Sequence, residues 1–342
     1  LSVLLGTLHA VFLLRQPPTP SLERLQALLE AAAQIADRRG EVAILRGHLL
    51  IAALEQTSAL QALDSNFDPV GACTACEMLA AELPELNGLE VIRAIMARLP
   101  TPILLLAQPG HPADLAFDAI GSGALALMPV PGEDIDAEAR DRFVGSVKAM
   151  ADVKVVRRRE RTPRPDAPGT PSVAQAIGIA ASTGGPGALQ QVLSALPRTL
   201  AVPVLVVQHL PPGFVTGLAS WLAGLSPLPV SIARHGTTLE PGHVYLAPDD
   251  RHLRVSREGR ITLRDEPPVG GHRPSATPLF ASLGEVWGAG AIGVMLTGMG
   301  RDGVEGLREW RAAGGRAIAQ ARGTSVVSAK PGAAGRTGLA DT

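Results

Sequence analysis

Short apolar runs alternate along this chain with longer stretches in which apolar residues recur at helical spacing. In the first half, Leu1–Leu5, Glu41–Leu45, the region around Met78–Leu79, Pro102–Leu106 and Ala124–Met128 read as short strands. Ser21–Ala36, Leu49–Leu63, Leu89–Arg98, Pro112–Gly121 and Ala137–Ala151 read as the helices between them. The second half repeats the pattern, with strands near 176–181, 202–207, 243–247, 291–296 and 316–319 and helices near 187–197, 213–224, 277–288 and 303–313. Strands alternating with helices supply the crossovers that a parallel sheet needs, so the expected class is α/β with two doubly wound parallel-sheet domains.

Between the halves the pattern breaks. Lys154, Arg157, Arg158, Arg159, Arg161 and Arg164 stand against Glu160 and Asp166 alone, and Pro163, Pro165, Pro168 and Pro171 interrupt any helix. The domains are therefore expected at 1–151 and 172–342, joined by a basic, proline-rich linker at 152–171, a solvated hinge.

Composition sets outer bounds. The chain has 342 residues, 46% apolar and 18% charged, which fits two globular domains and argues against disorder. A net charge of −1 gives no support for wholesale nucleic-acid binding. Two cysteines cannot build a disulfide framework, which fits a reducing cytoplasm. They form Cys73-Thr74-Ala75-Cys76, but a zinc site needs further ligands and a redox dithiol would open a helix, so buried thiols are expected. The apolar run Leu1–Leu14 is too short to span a bilayer and lacks a basic n-region, so it reads as a buried first strand passing into an apolar helix, with no direct membrane insertion.

Candidate chemistry sits just past the ends of three apolar runs. The run from Ala176 ends in Ser182-Thr183-Gly184-Gly185, the run from Val202 in Gln208-His209, and the run from Ala291 in Thr297-Gly298-Met299-Gly300-Arg301-Asp302-Gly303. In an open parallel sheet the carboxyl edge is where ligands bind. A serine, an imidazole and a carboxylate on one edge have the components of a nucleophilic triad.

Other readings compete. The glycine turn after the first run would suit a dinucleotide, but the next strand ends in Gln208-His209 rather than an acid for the ribose. Ser182-Thr183 would serve as a helix N-cap, and Asp302 would merely cap the helix starting near Gly303. Of eight histidines, His209 alone follows a buried strand directly; His9, His48 and His111 show no polar partner pattern, His235, His243 and His272 sit in turns or loops, and His252 would line a cleft.

Further blocks extend the pattern. Pro241-Gly242-His243 through Asp249-Asp250-Arg251-His252, then His272-Arg273-Pro274-Ser275, then Ala319-Gln320 followed by Thr324-Ser325-Val326-Val327, occur in order with the three strand ends. Over roughly Ala174–Asp341 the chain thereby resembles the catalytic domain of the bacterial chemotaxis (CheB-type) protein-glutamate methylesterases, a Rossmann-like fold. The resemblance implies Ser182 as nucleophile, His209 as general base, Asp302 as the group orienting the imidazole, and an oxyanion held by the Met299 N–H with help near Thr183. It also implies hydrolysis of glutamate methyl esters on the cytoplasmic helical region of methyl-accepting chemoreceptors, deamidation of receptor glutamines as a second activity, a chemosensory kinase or array protein as a further partner, and no metal, nucleotide or other cofactor.

Relatives of this type carry an N-terminal receiver, and residues 1–150 resemble a degenerate one of flavodoxin-type fold. The segment Leu79–Leu89 aligns its phosphoacceptor position with Ala80, the magnesium-binding acidic pair with Gly6-Thr7, the switch hydroxyl with Ala107 and the lysine with Val130. None of these supplies a carboxylate, so the resemblance implies a pseudo-receiver whose phosphorylation chemistry is lost. In the catalytic half, Ala321-Arg322-Gly323 replaces a commonly acidic stretch and Ser328-Ala329-Lys330-Pro331-Gly332 matches a Gly-Met-Pro loop only loosely. The readings left in competition are an active methylesterase, a weak or inactive chemosensory adaptor, and a nucleotide-binding protein.

Overall fold

A computed structural model describes residues 8–15, 51–55, 89, 92, 93, 96, 103–107, 113–129, 137 and 174–339. The chain divides into two compact units, Leu1–Val155 and Val156–Thr342. Residues 152–171, the cysteine pair, the expected Met78–Leu79 strand, Gly6, Thr7, Ala80 and Val130 lie outside the described residues.

In the first unit the described strands are β1 (Leu8–Arg15), β2 (Ile51–Glu55), β3 (Ile103–Ala107) and β4 (Ala126–Pro129), with helix α1 (Ala113–Gly121) before β4. Their order is β2-β1-β3-β4. β1 pairs in parallel with β2, and β3 with β4, whereas β1 and β3 are antiparallel. Ile103, Leu104 and Leu105 are buried, as are Ala116, Phe117, Ala119 and Ile120 of α1, so this strand–helix–strand segment forms as expected. The expected strands Leu1–Leu5 and Glu41–Leu45 lie outside the described residues; β1 takes residues expected to pass into an apolar helix after the first strand, and β2 takes residues assigned to the helix Leu49–Leu63. The run Leu1–Leu14 is mostly apolar and Ile51-Ala-Ala-Leu-Glu55 suits either conformation, so local hydrophobicity did not select the paired residues.

The second unit holds the sheet that matters for chemistry. Its elements are β5 (Ala176–Ala181), α2 (Gly185–Ala195), β6 (Val204–Gln208), α3 (Val215–Leu225), β7 (Val230–Ile232), β8 (Val244–Leu246), β9 (His252–Val255), β10 (Ile261–Arg264), α4 (Ala276–Trp287), β11 (Ala291–Met295), α5 (Val304–Ala312), β12 (Arg316–Ala319) and α6 (Ala329–Arg336). Six strands form a parallel sheet in the order β12-β11-β5-β6-β8-β7, and β9 and β10 form a separate antiparallel hairpin. The chain builds outward from β5 in one direction and from β11 in the other. The order reverses between these two neighbours, the point at whose carboxyl edge open α/β sheets bind ligands.

β7, the hairpin and α6 went unread in the sequence, each for a local reason. β7 is three residues long, β9 and β10 mix charged with apolar positions, and α6 contains two glycines and a proline that helix propensity disfavours. Pro331 is tolerated because it lies in the first turn, where no amide partner is lost.

Two glycines set how closely the helices approach this sheet. Gly178 of β5 and Gly293 of β11 are register partners. A Cβ on Gly178 would lie 2.4 Å from Leu283 of α4, and one on Gly293 would lie 2.7 Å from the Trp310 ring of α5. The missing side chains leave a shallow bed in which Leu283, Phe280 and Trp310 pack, the last two with ring centroids 5.6 Å apart. α5 in turn lies against the start of α4, where a Cβ on Gly306 would stand 2.2 Å from the Thr277 carbonyl oxygen. Among the described residues no helix is long and apolar enough to cross a membrane.

Because the atom facing Gly306 is backbone, it cannot yield as a side-chain tip would. Gly306→Val is expected to lower the unfolding free energy by about 1–3 kcal/mol in urea titrations. An unchanged transition midpoint would refute the close α4–α5 approach.

Candidate active site

Ser182 and His209 each lie one step past the end of a strand. β5 and β6 pair with Ala181 opposite Gln208, and the His209 N–H donates to the Ala181 carbonyl at 3.1 Å. Continuing that register sets Ser182 beside His209 at the spacing of adjacent strands, about 4.8 Å. The Gln208 carboxamide ties the two ends together, donating to the Ser182 carbonyl at 2.9 Å and to the His209 carbonyl at 2.8 Å. Gly185 makes room for it, since a Cβ there would meet the Gln208 side chain at 1.9 Å.

The turn carrying Ser182 is closed by the Gly185 N–H donating to the Ser182 carbonyl at 2.7 Å, with Gly184 at φ 76° in the left-handed region. Gly184 is the N-cap of α2, and no side chain caps that helix. The N-cap reading of Ser182-Thr183 is thereby corrected.

On the other flank the Ser182 N–H donates to the Thr297 carbonyl at 3.0 Å. The Thr297 hydroxyl lies 2.9 Å from the Thr183 carbonyl and accepts the Val327 N–H at 2.9 Å. Thr183 and the loop that presents partly buried Met299 are thus pinned to one another. A Cβ on Gly298 would fall 2.6 Å from the Ser182 Cβ, so Ser182 sits directly against this loop.

Asp302 does not cap its own helix. The N-cap of α5 is Gly303, without a side-chain cap. The carboxylate instead receives the N-terminus of α4: Ala276 N–H donates to Oδ2 at 2.8 Å, Thr277 Oγ1 to Oδ1 at 3.2 Å, and the Ser275 hydroxyl also donates to Oδ1. A helix N-terminus favours an anion, and Asp302 is held there with its side chain 2% exposed. Oδ2 also accepts from His209 Nε2 at 2.8 Å. Burial alone would raise the Asp302 pKa. The His209 hydrogen bond, the Lys330 and His209 charges and the Ser275 hydroxyl outweigh it and hold the carboxyl well below the usual carboxylate range.

That carboxylate settles the imidazole tautomer. An ionised Asp302 only accepts, so the proton sits on Nε2 and the lone pair on Nδ1, which is buried and has no hydrogen-bond partner. The nitrogen available as a base is therefore Nδ1, the reverse of the arrangement in which Nε2 faces the nucleophile. His272 stacks on the ring with centroids 3.9 Å apart. Burial, then the Lys330 charge, lower the His209 pKa to about 4 against the opposing pull of Asp302, with His272 adding to the fall.

Several residues here carried no role in the sequence reading. Gln208, Ser275, Thr277, His272 and Lys330 act through contacts that no local pattern announces. His252, expected to line a cleft, is fully buried; Pro267 O lies 3.1 Å from its Nε2, and its Nδ1 accepts the Ser275 N–H at 3.2 Å.

Residues 177–342 match the family model described as CheB methylesterase. A protein-glutamate methylesterase/protein-glutamine glutaminase of Anaeromyxobacter dehalogenans is 48% identical over 264 residues, covering 75% of this chain and 77% of that protein. One of Myxococcus xanthus is 46% identical over 264 residues, covering 73% of this chain and 74% of the other. Among solved structures, the Thermotoga maritima CheB methylesterase catalytic domain is similar at 36% identity and a TM-score of 0.48, covering 49% of this chain and 90% of that one.

The depressed basicity of His209 links stability to pH. An unfolded chain protonates this histidine near pH 6.5, whereas the folded site refuses the proton until about pH 4. Between those values the unfolded state binds more protons, so stability falls as the pH falls, by up to about 3 kcal/mol. His209→Gln is expected to remove that part of the slope in urea titrations between pH 7 and pH 4. Parallel slopes in the two proteins would show that the buried imidazole is not the cause.

Proposed function

The chain belongs to the CheB-type family of protein-glutamate methylesterases/protein-glutamine glutaminases, and we propose that it performs this hydrolysis with Ser182 as nucleophile, on methyl-accepting chemoreceptors. The observation that carries the reading is that Ser182 and a base-competent imidazole each lie one residue past the ends of neighbouring strands, with the imidazole held by a buried carboxylate.

In this mechanism His209 Nδ1 accepts the Ser182 hydroxyl proton as Oγ attacks the ester carbonyl. The carbonyl electrons move onto oxygen, where the Met299 N–H and the Thr183 turn at the α2 N-terminus stabilise the developing charge. Collapse of the tetrahedral intermediate breaks the bond to the methoxy group, which takes the proton from His209 and leaves as methanol. Water then gives a proton to His209 and attacks the acyl-serine; the proton returns to Ser182 and the glutamate carboxylate departs. A glutamine amide follows the same course with ammonia as the leaving group.

The substrate is the cytoplasmic helical region of the receptors, which places the enzyme in the cytoplasm beside a chemosensory kinase or array protein. Residues 1–151 act as a pseudo-receiver, a docking surface or fixed cover, with the 152–171 linker setting its reach. A working receiver shifts between two states because phosphoryl and Mg²⁺ contact acids, a hydroxyl and a lysine differently in each. Gly6, Thr7 and Ala80 provide no carboxylate, Ala107 no hydroxyl at the switch position and Val130 no ammonium.

Ser182→Ala should reduce methanol release from methylated receptor membranes by several orders of magnitude, with thermal unfolding little changed. Near-normal release would refute the nucleophile. Asp302→Asn should also be slow, through loss of the Nε2–H tautomer.

Beryllofluoride with Mg²⁺, or a small phosphodonor, should leave the rate of the full-length protein unchanged. A stoichiometric acyl phosphate on residues 1–151 would overturn the pseudo-receiver reading.

A further inference from the structure

Lys330 is the only fully buried lysine or arginine among the described residues. It lies at the start of α6, where its N–H donates to the Gly298 carbonyl at 3.0 Å while the Gly298 N–H donates to the Val327 carbonyl at 2.9 Å. Its methylene stem runs against Gly298, whose absent side chain leaves the passage: a Cβ there would stand 3.1 Å from Lys330 Cδ as well as against Ser182. The stem therefore passes beneath the nucleophile's seat. Its Nζ makes no hydrogen bond and lies 3.7 Å from Asp302 Oδ2, a charge contact rather than a hydrogen bond.

We propose that Lys330 is a positioning residue for the hydrolytic reaction, sharing the Asp302 carboxylate with His209 so that the imidazole remains a free proton acceptor into the acidic range. The inference rests on the reading of His209 as the general base.

Counting charges gives the reason. With a neutral imidazole and Lys330 in its ammonium form, one buried anion faces one buried cation. When His209 gains a proton, the same buried carboxylate must serve two cations, and Oδ2 is the oxygen facing both. The remaining contacts do not relieve this. Oδ1 is occupied by the Ser275 and Thr277 hydroxyls and Oδ2 by the Ala276 N–H, all donors, while the other titratable ring against His209 is His272, which opposes a second positive charge. Burial lowers the Lys330 pKa, and the Asp302 carboxylate opposes that fall by favouring the ammonium. A lysine serving only as apolar filling would need no charge here, whereas one facing Asp302 alters the proton affinity of its neighbour.

The two roles separate in one experiment. The His209 ring is titrated by NMR in the full-length protein and in Lys330→Met, a neutral side chain of similar length, and the acid limb of kcat/KM for methanol release from methylated receptor membranes is followed in both. Removing the ammonium should raise the proton affinity of His209 about tenfold, moving the NMR midpoint and the acid limb upward together; the rate at a fixed pH on that limb should fall about tenfold. Lys330→Arg, which keeps the charge, should leave the NMR midpoint near that of the parent. If Lys330→Met does not fold by circular dichroism, Lys330→Gln takes its place.

An unmoved NMR midpoint overturns the role of Lys330 whatever the rate does. A midpoint that moves while the acid limb stays still would support the electrostatic coupling and overturn His209 as the base.

Discussion

The site depends on one carboxylate being filled. Asp302 is almost fully buried, and it stays ionised there because its oxygens are met by the N-terminus of α4, two hydroxyls and the His209 ring. Remove those donors and burial would favour the protonated acid, which could no longer hold the imidazole in the Nε2–H form. The start of α4 must therefore lie against the loop that follows β11. Gly178 and Gly293 let the helices settle on the sheet, and Gly306 lets α5 approach the Thr277 backbone. Packing in the core thus sets the charge state of a group at the edge.

A second constraint fixes Ser182 relative to His209. Parallel neighbours in register bring two strand ends to one spacing, but the loops beyond them would otherwise be free. Gln208 binds the carbonyls of both ends, and Thr297 binds the Ser182–Thr183 turn to the loop bearing Met299. These contacts use side-chain groups to satisfy backbone atoms where the ladder stops, the point at which a sheet leaves polar groups unpaired. Rigidity of the reacting groups follows, which suits a reaction whose transition state needs preorganised donors.

The electrostatics are set by competition. Asp302 by itself would make His209 a stronger base; burial and Lys330 act the other way and win. A weaker base holds its proton less tightly and returns it readily to a leaving group, while remaining unprotonated across neutral pH. Membership of the CheB-type family accounts for the reaction class, and the balance of these charges belongs to this chain's own residues.

The alternation of apolar runs with helical spacing was enough to establish an α/β chain, because a strand buried on both faces must be apolar and a crossover helix must be amphipathic. The positions of Ser182, His209 and Asp302 beyond three such runs were legible for the same reason, as was the family, since ordered blocks are a property of the chain itself. Periodicity could not choose between strand and helix where residues are similarly apolar, so β1 and β2 fall where helices were expected, and short or glycine-rich elements such as β7 and α6 left no local signal. Nor could it say that Asp302 receives α4 rather than capping α5, that Nδ1 is the free nitrogen, or that Lys330 is buried beneath the site. Each of these depends on which distant groups share one buried carboxylate, and that arrangement exists only once the helices have packed against the sheet.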